Sequence, residues 1–253
     1  MGTAGTVIAV GNLKGGTGKS TITVNLACAM AVRGLRTVVL DTDPQQTAMG
    51  WTRRRRLPCA VQSLPIRDFS GVGDWLGELI MARQAYERVL IDLPAVLSPA
   101  LAAAFMAADV ILIPTTLSPI DLEATRRTLR HARAAIAERP QRPPRLLVVP
   151  TLLRKPMLLG RSRQPGELLQ LDVPIGPPQH YDPALAEAFA VSDWIGGHAP
   201  RSVGCRDLIT LEVTLESLLA TAAAEAARRE EAGAGSSWRD FAGSVRRAFL
   251  GVH

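Results

Sequence analysis

Lys14 and Lys19 enclose the run Gly15-Gly16-Thr17-Gly18, and Ser20 and Thr21 follow at once. Glycines at this spacing let successive backbone N–H groups curl around an anion at the start of a helix, where the helix dipole also favours negative charge. The eight-residue phosphate-loop pattern G-x-x-x-x-G-K-[ST] is matched from Leu13 to Ser20 except at its first glycine, which is Leu13. In that pattern Lys19 reaches the β- and γ-phosphate oxygens, and the Ser20 hydroxyl holds Mg²⁺. Of the 29 basic residues only three are lysines, and the third is Lys155. A compact, flexible ammonium suits phosphate contact at close quarters, and a planar guanidinium does not substitute well. The loop keeps its lysines for that reason.

Acidic residues end two further apolar runs, "TVVLDTDP" (37–44) and "VLIDLP" (89–94). Asp41, Asp43 and Asp92 are therefore candidate metal or water-handling groups. An Asp in such a place can also serve only as a helix cap. The three cysteines, Cys28, Cys59 and Cys205, and the four histidines show no metal-ligand spacing. A reducing compartment is the natural reading of so few thiols.

The elements that must position these residues are legible from apolar runs and helical spacing. "TVIAVGN" (6–12) reads as a buried strand leading into the glycine loop, and 19–34 reads as a helix closed by Gly34. Strands are expected at 36–43, 87–94, 108–116 and 145–153, with a short sixth at 172–176. Helices are expected near 44–56, 74–85, 98–107, 119–139, 183–191 and 204–231. Continuously apolar strands alternating with helices imply an α/β fold, a doubly wound and mostly parallel sheet covered on both faces. Ligands of such sheets sit at the carboxyl ends of the strands. Residues 1–231 read as one such domain, and 232–253 as a Gly/Ala/Ser linker followed by an amphipathic helix.

With its early Lys14, the loop "KGGTGKS" has the deviant Walker A form, and the chain here resembles the ParA/MinD family of P-loop ATPases. "LDTDPQQTA" (40–48), "VLIDLPAVLSPA" (89–100), "ILIPTTLSPIDLEAT" (111–125) and "LLRKP" (152–156) resemble further segments of that family. So does 187–208, which in the family borders the adenine. The likeness spans roughly residues 5–225 and is greatest to the small ParA type, without an N-terminal DNA-binding extension.

The resemblance implies Mg²⁺-dependent ATP hydrolysis at residues 14–21, from Lys14 to Thr21. It implies a homodimer in the ATP state, with Lys14 crossing to the partner's nucleotide. Asp43 would position or activate the attacking water. Asp41 would lie in the Mg²⁺ shell, and Asp92 would contact the ion through water. It further implies binding to double-stranded DNA of any sequence, for which Arg201 and Arg206 are the favoured contacts. A ParB-like adaptor would stimulate hydrolysis and dictate the cargo. The location implied is cytoplasmic and nucleoid-associated.

The net charge of +6 and pI near 9.9 fit an anionic partner, nucleic acid or membrane surface. No apolar run approaches the ~18 residues of a transmembrane helix. The run Arg53–Arg56 reads as a solvated face, and Arg228 and Arg229 add to the C-terminal basic group. In the tail, Trp238, Phe241, Val245, Phe249 and Val252 fall on one helical face, flanked by Arg239, Arg246 and Arg247. Such a helix either lies in a membrane interface, as the MinD tail does, or packs on the body or a partner. A membrane-cycling spatial regulator is the alternative function this leaves open.

Overall fold

Strand β1 (Thr6–Val10) alternates its side chains strictly between two cores. Val7 and Ala9 face one layer of helices, and Ile8 and Val10 face the other. The structure, a computed structural model, describes residues 4–54, 56–139, 142–154, 168, 170–231 and 241–250. Its sheet contains β1, β2 (Thr37–Asp41), β3 (Ala60–Ser63), β4 (Arg88–Asp92), β5 (Val110–Thr115) and β6 (Arg145–Pro150). The order is β3-β2-β4-β1-β5-β6, and every pairing is parallel. The doubly wound parallel sheet is as expected.

Helices cover both faces, so every strand except the half-exposed edge strand β3 is buried on both sides. One face carries α2 (Val72–Ala85), α3 (Pro99–Ala107) and α4 (Pro119–Ala137). The other carries α1 (Lys19–Val32), α5 (Pro183–Ala190), the short α6 (Ile195–His198) and the long α7 (Val203–Glu231). Charge pairs fasten α7 to the sheet layer. Arg88 donates through Nε and Nη2 to both carboxylate oxygens of Glu216, at 2.8 and 2.6 Å, and Arg33 pairs with Glu212. Gly34, with φ 93°, sits just past the end of α1, where the left-handed backbone favours glycine.

Two expectations fail. The stretch 44–56 forms no α-helix, only a 3-10 turn over Met49–Thr52. Asp41 accepts hydrogen bonds from the backbone N–H groups of Asp43 and Met49, at 3.1 and 2.9 Å, which binds the chain into a loop instead. Trp51 lies within this turn. It is buried and meets the Phe189 ring edge-on, with centroids 5.1 Å apart. The expected strand at 172–176 makes only one isolated bridge, Val148 to Ile175. The sixth strand of the sheet is β3 instead.

The C-terminal helix α8 (Phe241–Leu250) packs against α3 and α4 of its own chain. Val245 is fully buried in that core, and Arg247 Nε donates to Glu138 Oε2 at 3.2 Å. Of the tail and the basic segments, Trp238, Arg239, Arg55 and Lys155 lie outside the described residues. Of the three places open to an amphipathic tail, this one sits on the body.

Candidate functional site

Parallel strands deliver their carboxyl ends to one edge of the sheet, and four residues of interest meet there. β2 and β4 pair in register with Asp41 opposite Asp92, so two carboxylates stand side by side at their ends. Both are fully buried. The loop after β1 brings Lys19, from the first turn of α1, beside Asp92 and beside Asp43, just past the end of β2.

The loop itself is held open by two left-handed glycines, Gly16 at φ 76° and Gly18 at φ 87°. A Cβ at either would meet nothing within 4 Å, so backbone conformation, and not space, demands glycine there. Lys19 is almost buried, and its Nζ donates to the Lys14 carbonyl at 3.0 Å, which draws the loop into a ring. Burial lowers the Lys19 pKa, while Asp92 and Asp43 act to raise it. The Thr17 carbonyl accepts from the Thr151 hydroxyl at 3.0 Å, tying the loop to the end of β6.

Asp92 carries the strongest electrostatic signature. Burial, reinforced by Asp41, pushes its carboxyl up to about 7, against the pull of Ser20, Lys19 and Thr23. Its Oδ1 accepts from the Thr23 hydroxyl at 3.2 Å, and its Oδ2 is buried with no hydrogen-bond partner. A buried, orphaned carboxylate oxygen beside a second carboxylate and a serine hydroxyl is a poor arrangement without a cation. All-oxygen donors of this kind suit Mg²⁺. The residues therefore fit the ion, with Ser20 and Asp92 the natural holders. Asp41 has both oxygens engaged by the backbone of the following loop, and burial raises its pKa as well. It shapes the turn that presents Asp43, whose Oδ1 accepts from Gln45 N–H at 2.9 Å.

Lys14 points elsewhere. Its Nζ lies 3.9 Å from Asp121 Oδ1, on the first turn of α4, and its side chain is 41% exposed. Asp121 also accepts from the Thr116 hydroxyl. The segment 111–125 contains Asp121, but its pairing with Lys14 is tertiary and no spacing foretells it. Helix α4 supports the loop a second time. Asn12 Nδ2 donates to the Pro114 carbonyl at 2.8 Å and to Thr125 Oγ1 at 3.0 Å, and Thr128 Oγ1 accepts from Leu13 N–H at 3.0 Å. These polar groups are buried, yet their sequence signal is only threonines at helical spacing inside α4.

Next to Gly18 and Thr21 lies a cavity of about 350 Å³, lined chiefly by apolar side chains including Ile22, Trp51, Leu185 and Phe189. Its rim holds Tyr181, over whose ring Arg154 lies 5.8 Å from the centroid, and His180, whose Nδ1 pairs with Asp207 at 2.9 Å. A flat, apolar base fits such a wall beside a phosphate loop. Arg201 and Arg206 are exposed together at the start of α7, with Arg206 Nη1 donating to the Arg201 carbonyl at 2.7 Å. Arg53, Arg54 and Arg56 are exposed, as a solvated face requires.

Residues 8–228 match the family described as CobQ/CobB/MinD/ParA nucleotide binding domain. The chain belongs to this family. Among relatives, it is 37% identical over 127 residues to the maintenance of carboxysome distribution protein A of Gloeobacter kilaueensis, covering 50% of this chain and 56% of that protein. The chain thus spans little more than half the length of the first curated relatives it matches. It is 28% identical over 231 residues to the chromosome-partitioning ATPase Soj of Thermus thermophilus, covering 78% of this chain and 90% of that one. In fold it is similar to the Mg-ADP complex of the septum site-determining protein MinD from Pyrococcus horikoshii. There the TM-score is 0.67 at 18% identity, covering 86% of this chain and 98% of that one. For this CobQ/CobB/MinD/ParA member, the phosphate loop and the buried carboxylates occupy the sheet edge at which a doubly wound fold binds its ligand.

Proposed function

We propose that the chain is an ATPase of the ParA type. It dimerises on ATP, binds DNA without sequence preference, and positions or segregates a cargo through a ParB-like adaptor. The observation that carries this reading is the buried Asp41–Asp92 pair, with Lys19 of the glycine loop beside Asp92 and one Asp92 oxygen left for a cation. The relatives named for carboxysome distribution and for chromosome partitioning support a positioning role.

The chain's own groups divide the work by position. Backbone N–H groups of Gly15 to Lys19 surround the phosphates, and the Lys19 ammonium balances charge that develops on the leaving β-phosphate. Ser20, with Asp92 through water, would hold Mg²⁺, which would supply neutralisation of the phosphate oxygens. Asp43, presented by the loop that Asp41 ties down, orients the attacking water. The apolar cavity beside Thr21 takes the base. Lys14 leaves Asp121 to reach the second subunit's nucleotide, so bound ATP joins two copies. Exposed arginines, Arg201 and Arg206 foremost, meet DNA phosphates, which requires charge and no base readout.

Two substitutions compared side by side test the reading. Lys19→Ala should lower ATP affinity by at least about 100-fold, since it removes the charge nearest the phosphates. Lys14→Ala should bind ATP nearly as well as the parent yet remain monomeric in ATP and Mg²⁺ by light scattering. A dimeric Lys14→Ala protein would exclude the crossing lysine. Native ATP affinity in Lys19→Ala would exclude the loop as the nucleotide site.

A further inference from the structure

Cys28 and Cys59 are 31 positions apart in the chain, yet their Sγ atoms lie 3.6 Å from each other. Cys28 projects from the third turn of α1 and is fully buried, whereas Cys59 immediately precedes the edge strand β3 and is partly exposed. Nothing in the nucleotide site uses either thiol. We propose that these two cysteines are an oxidative modification site, at which a hydroperoxide converts them to a reversible intramolecular disulfide.

The surroundings set the order of events. Burial, together with the neighbouring Cys59 and Asp193, raises the Cys28 pKa, so Cys28 stays a thiol and is shielded from solvent. Cys59 meets the oxidant first. Its thiolate attacks one peroxide oxygen, the O–O bond breaks, and Cys59 becomes a sulfenic acid while the other oxygen leaves as water or alcohol. Cys28 Sγ then attacks Cys59 Sγ. The S–S bond forms, the S–OH bond breaks, and the Cys28 proton leaves with that oxygen as water. Two thiols lose two electrons in total and the peroxide gains them.

The approach required is short, from 3.6 Å to the bond length of about 2 Å. The part that moves is a loop leading into an edge strand, bonded to the sheet on one side only. The closed bridge links α1, which carries Lys19 and Ser20, to the far end of the connection that presents Asp43. The third cysteine, Cys205, is buried on α7, in the same core layer as Cys28.

The test uses the full chain, folded and without nucleotide, treated with a small excess of hydrogen peroxide. Peptide mapping under non-reducing conditions should find Cys28 joined to Cys59, reversed by dithiothreitol. The oxidised protein's thermal midpoint should rise by roughly 5–10 °C, because the bridge restrains a long loop in the unfolded chain. In Cys59→Ser, Cys28 should resist both peroxide and thiol alkylation until the protein is unfolded, and Cys205→Ser should leave the bridge intact. Three results would each overturn the proposal: Cys59 oxidised further with Cys28 untouched, a disulfide to Cys205 or to a second copy, or an oxidised protein with a lowered midpoint.

Discussion

Asp92 keeps its proton up to about pH 7 in the folded, nucleotide-free protein, whereas an ordinary Asp loses it near 3.8. Folding therefore takes up a proton between those values. The stability linked to this group is fully present below the unfolded pKa and falls as pH rises through the folded one. Replacing the carboxylate by the isosteric amide removes the titration. Nucleotide-free Asp92→Asn should gain roughly 2–3 kcal/mol relative to the parent between pH 5 and pH 8, measured by denaturant unfolding. The same variant should lose the extra stabilisation that Mg²⁺ adds to the ATP complex, since a neutral amide attracts the ion weakly. An equal gap between variant and parent at both pH values would show that burial does not control this carboxyl.

Helix α4 does more at the element scale than cover the sheet, because Thr125, Thr128 and Asp121 reach Asn12, Leu13 and Lys14, the residues that lead into the glycine loop. Thr128→Val keeps the shape but removes the acceptor for Leu13 N–H, leaving a buried donor unpaired. The expected loss is about 1–3 kcal/mol of stability, with weaker ATP binding, checked by thermal unfolding and nucleotide titration. Unchanged ATP affinity at a lowered stability would separate the helix's packing from its support of the loop. Such contacts were not legible beforehand, because a threonine in a helix has the same spacing whether it meets solvent or a loop 115 residues away. The phosphate loop and five strands were legible for the opposite reason. Each is a local pattern, either glycines with lysines or a continuous apolar run such as "VILIPT". Strand β3 escaped because "AVQS" is short and half-exposed at the sheet edge, so burial writes almost no signal into it. The expected strand around Ile175 has the right residues, but Pro174 within it lacks the N–H that a ladder needs.

At the scale of the whole molecule, charge and the docked tail point the same way. The chain carries +6, while the Val245 side of α8 is already buried against α3 and α4. Among the described residues no helix is long and apolar enough to cross a membrane. Deleting residues 232–253 should cost about 2 kcal/mol or more, from the lost burial of Val245 and its neighbours, and should leave ATP-dependent DNA retention intact. Arg201→Ala with Arg206→Ala should instead weaken retention on every duplex alike, with a shallower salt dependence. A parent that floats with anionic vesicles in ATP, and a truncated form that does not, would assign the tail to lipid. The ion pair between Lys14 and Asp121 has its own bearing on assembly. In the proposed dimer, the lysine that reaches across to another copy must first abandon a carboxylate whose Oδ1 is buried and has no hydrogen-bond partner. Under that proposal two solitary copies that meet would each make the exchange, and encounters too brief to complete it would come apart again. The home pair would then act as a proofreader of collisions, admitting to the proposed dimer only copies whose nucleotide holds the lysine better than Asp121 does.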